Sequence, residues 1–192
     1  IGRLTPIAFG TIFALSGAVG PIIGQNYGAR DFTRVRRTLY DALLFTGIVV
    51  LVATVILFFL RGHIAALFSA EGVFLSLIFL FCGPLALMFF FNGMLFVSNA
   101  CFNNLGRPFY STWLNWGRHT LGTIPLVWLG SILFGAPGVL IGQAAGGVVF
   151  GVLSVVLVRR TIDAVEAQGE APQGPRLFQR QARQIALFFG RR

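Results

Sequence analysis

The chain of 192 residues is 56% hydrophobic and only 11% charged, where a soluble domain carries about one quarter. Its mean hydropathy of +0.80 and its 21 phenylalanines give it the composition of a membrane protein. The net charge is +9 and all 15 basic residues are arginine, but they sit between long apolar runs, which excludes the basic face of a nucleic-acid-binding domain.

A bilayer core of about 30 Å needs about 20 apolar residues of helix. Five stretches meet that length, at about 4–26, 39–60, 73–99, 109–134 and 137–158. The fold class expected is therefore all-α, a polytopic bundle of membrane helices. The first span ends in "GPIIGQNYGARDFTRVRR", where amides at Gln25 and Asn26 close an apolar run and Arg30, Arg34, Arg36 and Arg37 follow. The second linker, "RGHIAALFSAEG", holds Arg61, His63 and Glu71; the third centres on "NNLGRP" and the fourth is only "GAPG".

Arginines gather at cytoplasmic helix ends. With linkers one and three and the end of the fifth span on one side, that side holds Arg30, Arg34, Arg36, Arg37, Arg107, Arg159 and Arg160. The other side holds Arg3 and Arg61. The bias predicts an external N-terminus and a cytoplasmic C-terminus. An odd number of spans and a first residue Ile1 rather than Met predict further helices upstream.

Prolines fall inside three spans, at Pro21, Pro84 and Pro125, each removing a backbone hydrogen bond that only protein or a wet cavity can repair. Gly20, Gly24 and Gly28 form a small-residue ridge, and Gly142, Gly146, Gly147 and Gly151 repeat it in the last span, as close helix packing requires. Polar groups inside the spans are costly unless paired or wet. Asp41 is the carboxylate within a span; Asn92, Ser98, Asn99, Asn103 and Asn104 run along the third; Asn115, Arg118 and His119 lie in the fourth, and Gln143 in the fifth. Asn92 and Asn99 share a helical face, as do Asn115 and Arg118. Such a stripe reads either as a cavity wall or as interhelical hydrogen bonding. Asp41 is a plausible partner for Arg118, the alternatives being the cavity and phosphate headgroups. Cys82 and Cys101 lack metal-ligand spacing, no metal or other cofactor is expected, and no enzymatic constellation appears.

Three segments, "PIIGQNYGARDFTRVRRTL", "NACFNNLGRP" and "IPLVWLGSILFGAPGVLIGQ", stand in the order and spacing of the multidrug and toxic compound extrusion (MATE) family, which residues 1–160 resemble. The resemblance implies helices eight to twelve of a twelve-helix, two-lobe transporter whose N-terminal lobe is a partner missing from this chain. It implies efflux of organic, often cationic, amphiphiles by antiport with Na+ or H+, from a bacterial inner membrane. Phe89, Phe90, Met94 and Phe96 would then help line a substrate cavity with Asn92, Asn99, Asn115 and Arg118. Gly20, Pro21, Gly24, Gln25, Asn26, Gly28 and Pro125 would serve packing and gating. Asp41 is the coupling candidate here, but Asn92 stands where some relatives carry an acid, so coupling is expected chiefly in the missing lobe. A flippase of lipid-linked saccharides, which would need several cavity arginines, and a non-transporting scaffold are the alternatives.

Residues 161–192 are expected to form a cytoplasmic basic tail outside the bundle. In it, Phe178, Ala182, Ile185 and Phe189 can share a helical face opposite Arg176, Arg180 and Arg183. The segment reads as an amphipathic helix on the anionic leaflet or as a disordered tail.

Overall fold

Residues 4–168 are described by a computed structural model, and among them all regular structure is helical. Helix α1 spans Leu4–Gly28 and α2 spans Phe32–Leu67. Next, α3 (Gly72–Leu80) runs through a π-helical turn (Phe81–Leu85) into α4 (Ala86–Asn104). Then α5 (Pro108–Gly117) runs through a second π-helical turn (Arg118–Thr123) into α6 (Ile124–Gln168). The stretches Phe32–Leu67, Gly72–Asn104 and Pro108–Gln168 are each long and apolar enough to cross a membrane.

The longest of these is two arms. At Gly135 the backbone takes φ 62° and ψ −136°, a conformation open to glycine and strained for other residues, and the chain doubles back. Gly130 then lies against Gly138, Leu126 against Gly142, and Gly122 against Gly146, backbone on backbone. Contacts elsewhere fix the remaining directions. Phe9 meets Phe89 and Phe13 meets Phe96, so α1 and α4 run parallel. Arg36 meets Asp163 and Glu166 while Tyr40 meets Arg159, so α2 runs antiparallel to the second arm of α6. The chain thus makes five passes in alternating directions.

Two apolar clusters fill the bundle from end to end. One joins Ile23, Leu39, Leu95, Phe102 and Ile162; the other joins Phe9, Ile12, Val50, Ile78 and Cys82. The outer surface is also apolar, with Leu44, Phe59, Leu121 and Trp128 exposed, as a helix bundle solvated by lipid requires. On α5, Phe109, Trp113 and Trp116 form one exposed aromatic row. At about 1.5 Å per residue, the 36 residues of α2 extend roughly 54 Å, well beyond the hydrocarbon core. Its ends therefore project into the interfaces, where arginine is tolerated.

The bundle does not stop at residue 160. Helix α6 continues to Gln168, and Ile162 and Val165 are fully buried in the first cluster. The expected tail boundary followed the end of the fifth apolar span at about 158. Arg159 and Arg160 beyond it are exposed, while the apolar positions 158, 162 and 165 keep helical spacing and continue the core. The expected amphipathic segment lies outside the described residues.

At this end Arg36 joins α2 to α6 by hydrogen bonds to Glu166 and to Asp163, the latter at 2.7 Å. The two carboxylates, Glu166 first, raise the guanidinium's pKa above its already high ordinary value. A raised pKa of this kind keeps the guanidinium's own charge in place through neutral pH and releases it only in strong alkali. Because the pairs are solvent-exposed, Arg36→Ala is expected to lower stability by less than about 1 kcal/mol per pair, with no change across neutral pH. A double-mutant cycle with Asp163→Asn, read by thermal unfolding at several pH values, checks both points.

Candidate functional site

Helix α4 is the spine against which the other elements pack, and its polar residues are arranged by glycines on its neighbours. Gly151 sits against the Phe91 backbone, and a Cβ at Gly147 would lie 3.4 Å from the Asn92 side-chain oxygen. One to two turns further, Ser154 Oγ has both Ser98 Oγ (3.0 Å) and the Gly151 carbonyl (2.7 Å) in reach, and its single hydrogen serves one at a time. This seam brings α4 and α6 close at Phe91, Asn92 and Ser98, and Asn99 follows on the same helical face as Asn92.

The two amides on the seam are incompletely satisfied. The Oδ1 atoms of Asn92 and Asn99 are buried with no hydrogen-bond partner among the described residues, and so is Nε of Arg118. Arg118 opens the second π-helical turn, which the ring of Phe150 wedges from α6. A Cβ at Gly117 or at Gly122 would come within 2.8 Å of that ring. Asn115, by contrast, is satisfied locally, its Nδ2 donating to the Ser111 carbonyl at 2.8 Å. Buried polar atoms are nearly always paired, so three orphans at Asn92, Asn99 and Arg118 define the candidate site. Asn92 and Asn99 stand roughly 10 Å apart along α4, so the two acceptors and the cationic donor of Arg118 are separate points at which polar groups of a ligand can bind. Thr54 Oγ1, which sequence reading did not single out, is a fourth orphan, on α2.

The pairing of Arg118 with Asp41 is not formed. The Asp41 carboxylate lies 3.8 Å from Arg37 one turn back, with 69% of its side chain exposed. The inward face of α2 is carried by Leu39, Ala42 and Thr46 instead, which turns position 41 outward. Among the described residues no three His, Cys, Asp or Glu side chains cluster, and both cysteines are buried thiols.

The aromatic residues of α4 are engaged in helix packing. Phe89 stacks on Phe9 with ring centres 4.0 Å apart, Phe96 meets Phe13 edge-on at 4.9 Å, and Phe90 rests against Gly47. All three are half-buried, as is Met94. Gly93 admits Thr46 and Ile12 where α1, α2 and α4 converge.

The first-span ridge is keyed to one side chain. Cβ atoms at Gly20 and Gly24 would fall 2.8 Å and 3.0 Å from the Asn104 amide, whose Nδ2 donates to the Ala100 carbonyl at 2.8 Å. The ridge ends there. Gly28 has no neighbour within 4 Å because the helix is terminating, and it takes no part in packing between these helices. Asn26 bonds back to the Ile22 carbonyl at 2.9 Å, whereas Pro21, Gln25 and Pro125 are exposed on the lobe surface. The role of Arg36 as a clamp was missed in the sequence. Its signal was the pair Asp163 and Glu166, three apart on one helical face near the arginine-rich end.

These features define an integral membrane protein built as a five-pass helical lobe. The MatE family pattern matches residues 2–129, and the chain belongs to that family. It is 33% identical over 160 residues to an uncharacterized 21 kDa protein in the iaaL 5'region of Pseudomonas savastanoi, covering 78% of this chain and 49% of that one. It is 27% identical over 165 residues to a FAD transporter of Shewanella oneidensis, covering 86% of this chain and 36% of the relative. The chain thus spans about half the length of the first relative and little more than a third of the second.

Among solved structures, the Vibrio cholerae MATE transporter VcmN in its bent form superposes with a TM-score of 0.78 at 20% identity, over 85% of this chain and 37% of that one. An inward-facing multidrug resistance MATE family transporter gives 0.79 at 18% identity, over 88% and 39%. At these identities the likeness is one of fold.

Proposed function

We propose that the chain is the C-terminal-lobe portion of a secondary transporter, not an enzyme, which expels organic amphiphiles by antiport with Na+ or H+ through alternating access. Family membership supports the transporter reading. The observation that carries the site is the set of orphaned atoms at Asn92, Asn99 and Arg118, since a bundle with only a structural role would satisfy or discard them. Half-buried rings at Phe89, Phe90 and Phe96 and the thioether of Met94 supply the apolar, polarisable surroundings that suit varied amphiphiles, cationic ones included. Pro21, Gln25 and Pro125, exposed on this lobe, are placed in the proposal against the N-terminal lobe, where they would take part in gating. The arginine-rich end, with Arg36, Arg107 and Arg159, is assigned to the cytoplasm of a bacterial inner membrane.

Coupling is assigned to the N-terminal lobe. Asp41 is solvent-exposed and paired with Arg37, which removes the isolation a coupling carboxylate needs. A second reading, transport of an anionic or phosphate-bearing substrate, is favoured by Arg118 and by the relative named as a FAD transporter.

The test expresses the full reading frame in cells lacking their own exporters and follows a fluorescent cationic dye and a flavin nucleotide under imposed Na+ or H+ gradients. Gradient-dependent loss of dye is the expected result. Export of the flavin alone would transfer the proposal to the second reading, and export of neither, with the protein verified in the membrane, would sink both.

A further inference from the structure

A cavity lies apart from the α4 seam, at the arginine-rich end of the bundle. It is lined by Arg107 and Tyr110 at the start of α5 and by Leu157, Arg160, Ala164 and Gln168 on α6, and holds about 320 Å³. Residues 160, 164 and 168 stand four apart and so form one row on α6. The small Ala164 in its middle leaves depth between the longer side chains on either side. Gln168 accepts a hydrogen bond from Arg107 Nη2 at 3.4 Å and ties the rim together.

The charges around this cavity are uneven. The acidic groups of the same helix segment, Asp163 and Glu166, are turned away and engaged by Arg36. Arg159 is directed elsewhere, its guanidinium 4.9 Å above the Tyr40 ring. Arg160 lines the cavity with no ion-pair or hydrogen-bond partner among the described residues. The cavity therefore combines two guanidinium groups, a tyrosine and an apolar floor of Leu157 and Val165 at the arginine-rich end of the bundle.

We propose that the cavity between Arg107, Tyr110 and Arg160 binds a phosphate ester, the headgroup phosphate of an anionic phospholipid. Guanidinium groups match phosphate geometry, and an apolar floor beside them accommodates the start of an acyl chain. The headgroup enters between α5 and α6, with Arg160 as its principal cation and Ala164 giving it room.

The experiment uses the full chain purified in detergent and exchanged into mixed micelles of phosphatidylglycerol and phosphatidylcholine, with retained lipid counted by native mass spectrometry. Preferential retention of one phosphatidylglycerol, about fivefold or more over phosphatidylcholine, is the expected result, since each arginine near an anionic headgroup contributes roughly that factor. Arg160→Gln should remove the preference and Arg159→Gln should preserve it. Ala164→Phe, which fills the cavity and leaves every charge in place, should abolish retention. Displacement of the lipid by millimolar inorganic phosphate would keep the anion site and assign it to a soluble phosphate ester; resistance to displacement would assign it to lipid. Equal retention of the two lipids by the wild-type chain, or equal losses in Arg160→Gln and Arg159→Gln, would overturn the proposal.

Discussion

Gly142→Leu is expected to yield no folded lobe. The Cβ alone would meet the Leu126 carbonyl oxygen, lie 2.6 Å from its carbon and 2.7 Å from the Val127 nitrogen, and none of these atoms can rotate aside. Overpacking a core site typically costs about 1–3 kcal/mol because side chains yield. Here the backbone of the opposing arm must move, so the arms have to part along Gly130–Gly138 and Gly122–Gly146 as well. That separation unseats Phe150 from its notch and uncovers the α4 seam. The measurement is the yield of monodisperse protein in detergent, with Gly17→Leu as control, since position 17 has nothing within 4 Å. Normal yield of Gly142→Leu would show that the hairpin tolerates separation and that its glycines are not what holds it.

Arg118→Met is expected to act oppositely on stability and on transport. A guanidinium whose Nε is buried without an acceptor is a destabilising element, and an apolar side chain of similar length removes that desolvation cost, so the variant should melt higher. The gain should be small, because the side chain is only half-buried. If Arg118 contacts substrate, transport falls at the same time. Loss of one charge-assisted hydrogen bond, about 1.5–3 kcal/mol, corresponds to tenfold or more. Arg118→Lys keeps the charge but has no Nε donor, and should recover transport only in part. Thermal unfolding of the purified variants and dye efflux from cells carrying the full reading frame give the two readouts. Unchanged transport by Arg118→Met would remove Arg118 from the site, whatever happens to the melting temperature.

The all-helical membrane fold was legible in the sequence because long apolar runs carry that information directly, and three short motifs in register pointed to the family. The helix path was harder to read. "FCGPL" and "RHTLGT" contain the proline, glycines and polar groups that signal disturbance, but not its form: the first is a π-helical turn kinked at Gly83 (φ −111°, ψ −113°), the second a π-helical turn without such a break. At the candidate site, Asn92, Asn99 and Arg118 stood out because polar groups in apolar runs are costly, a statement about each residue alone. Which of them find partners depends on tertiary distance. Asn115 bonds to its own helix, and Asp41 faces outward because α2 is rotated by its packing at Leu39, Ala42 and Thr46. The end of α6 was misplaced for a related reason: the unbroken apolar run ends at about 158, although the buried positions Val158, Ile162 and Val165 continue at helical spacing.

The hairpin of α6 has a mechanical consequence. Where glycine meets glycine the two arms are joined by rigid backbone and behave as a single strut. Past Gly122 the join changes character, because the fourth pass is then held off the fifth by the ring of Phe150, a side chain that can swing about its own bonds. Stiffness thus gives way to compliance at the π-helical turn that carries Arg118. A ligand engaging that guanidinium would grip the lobe where its backbone-to-backbone join ends.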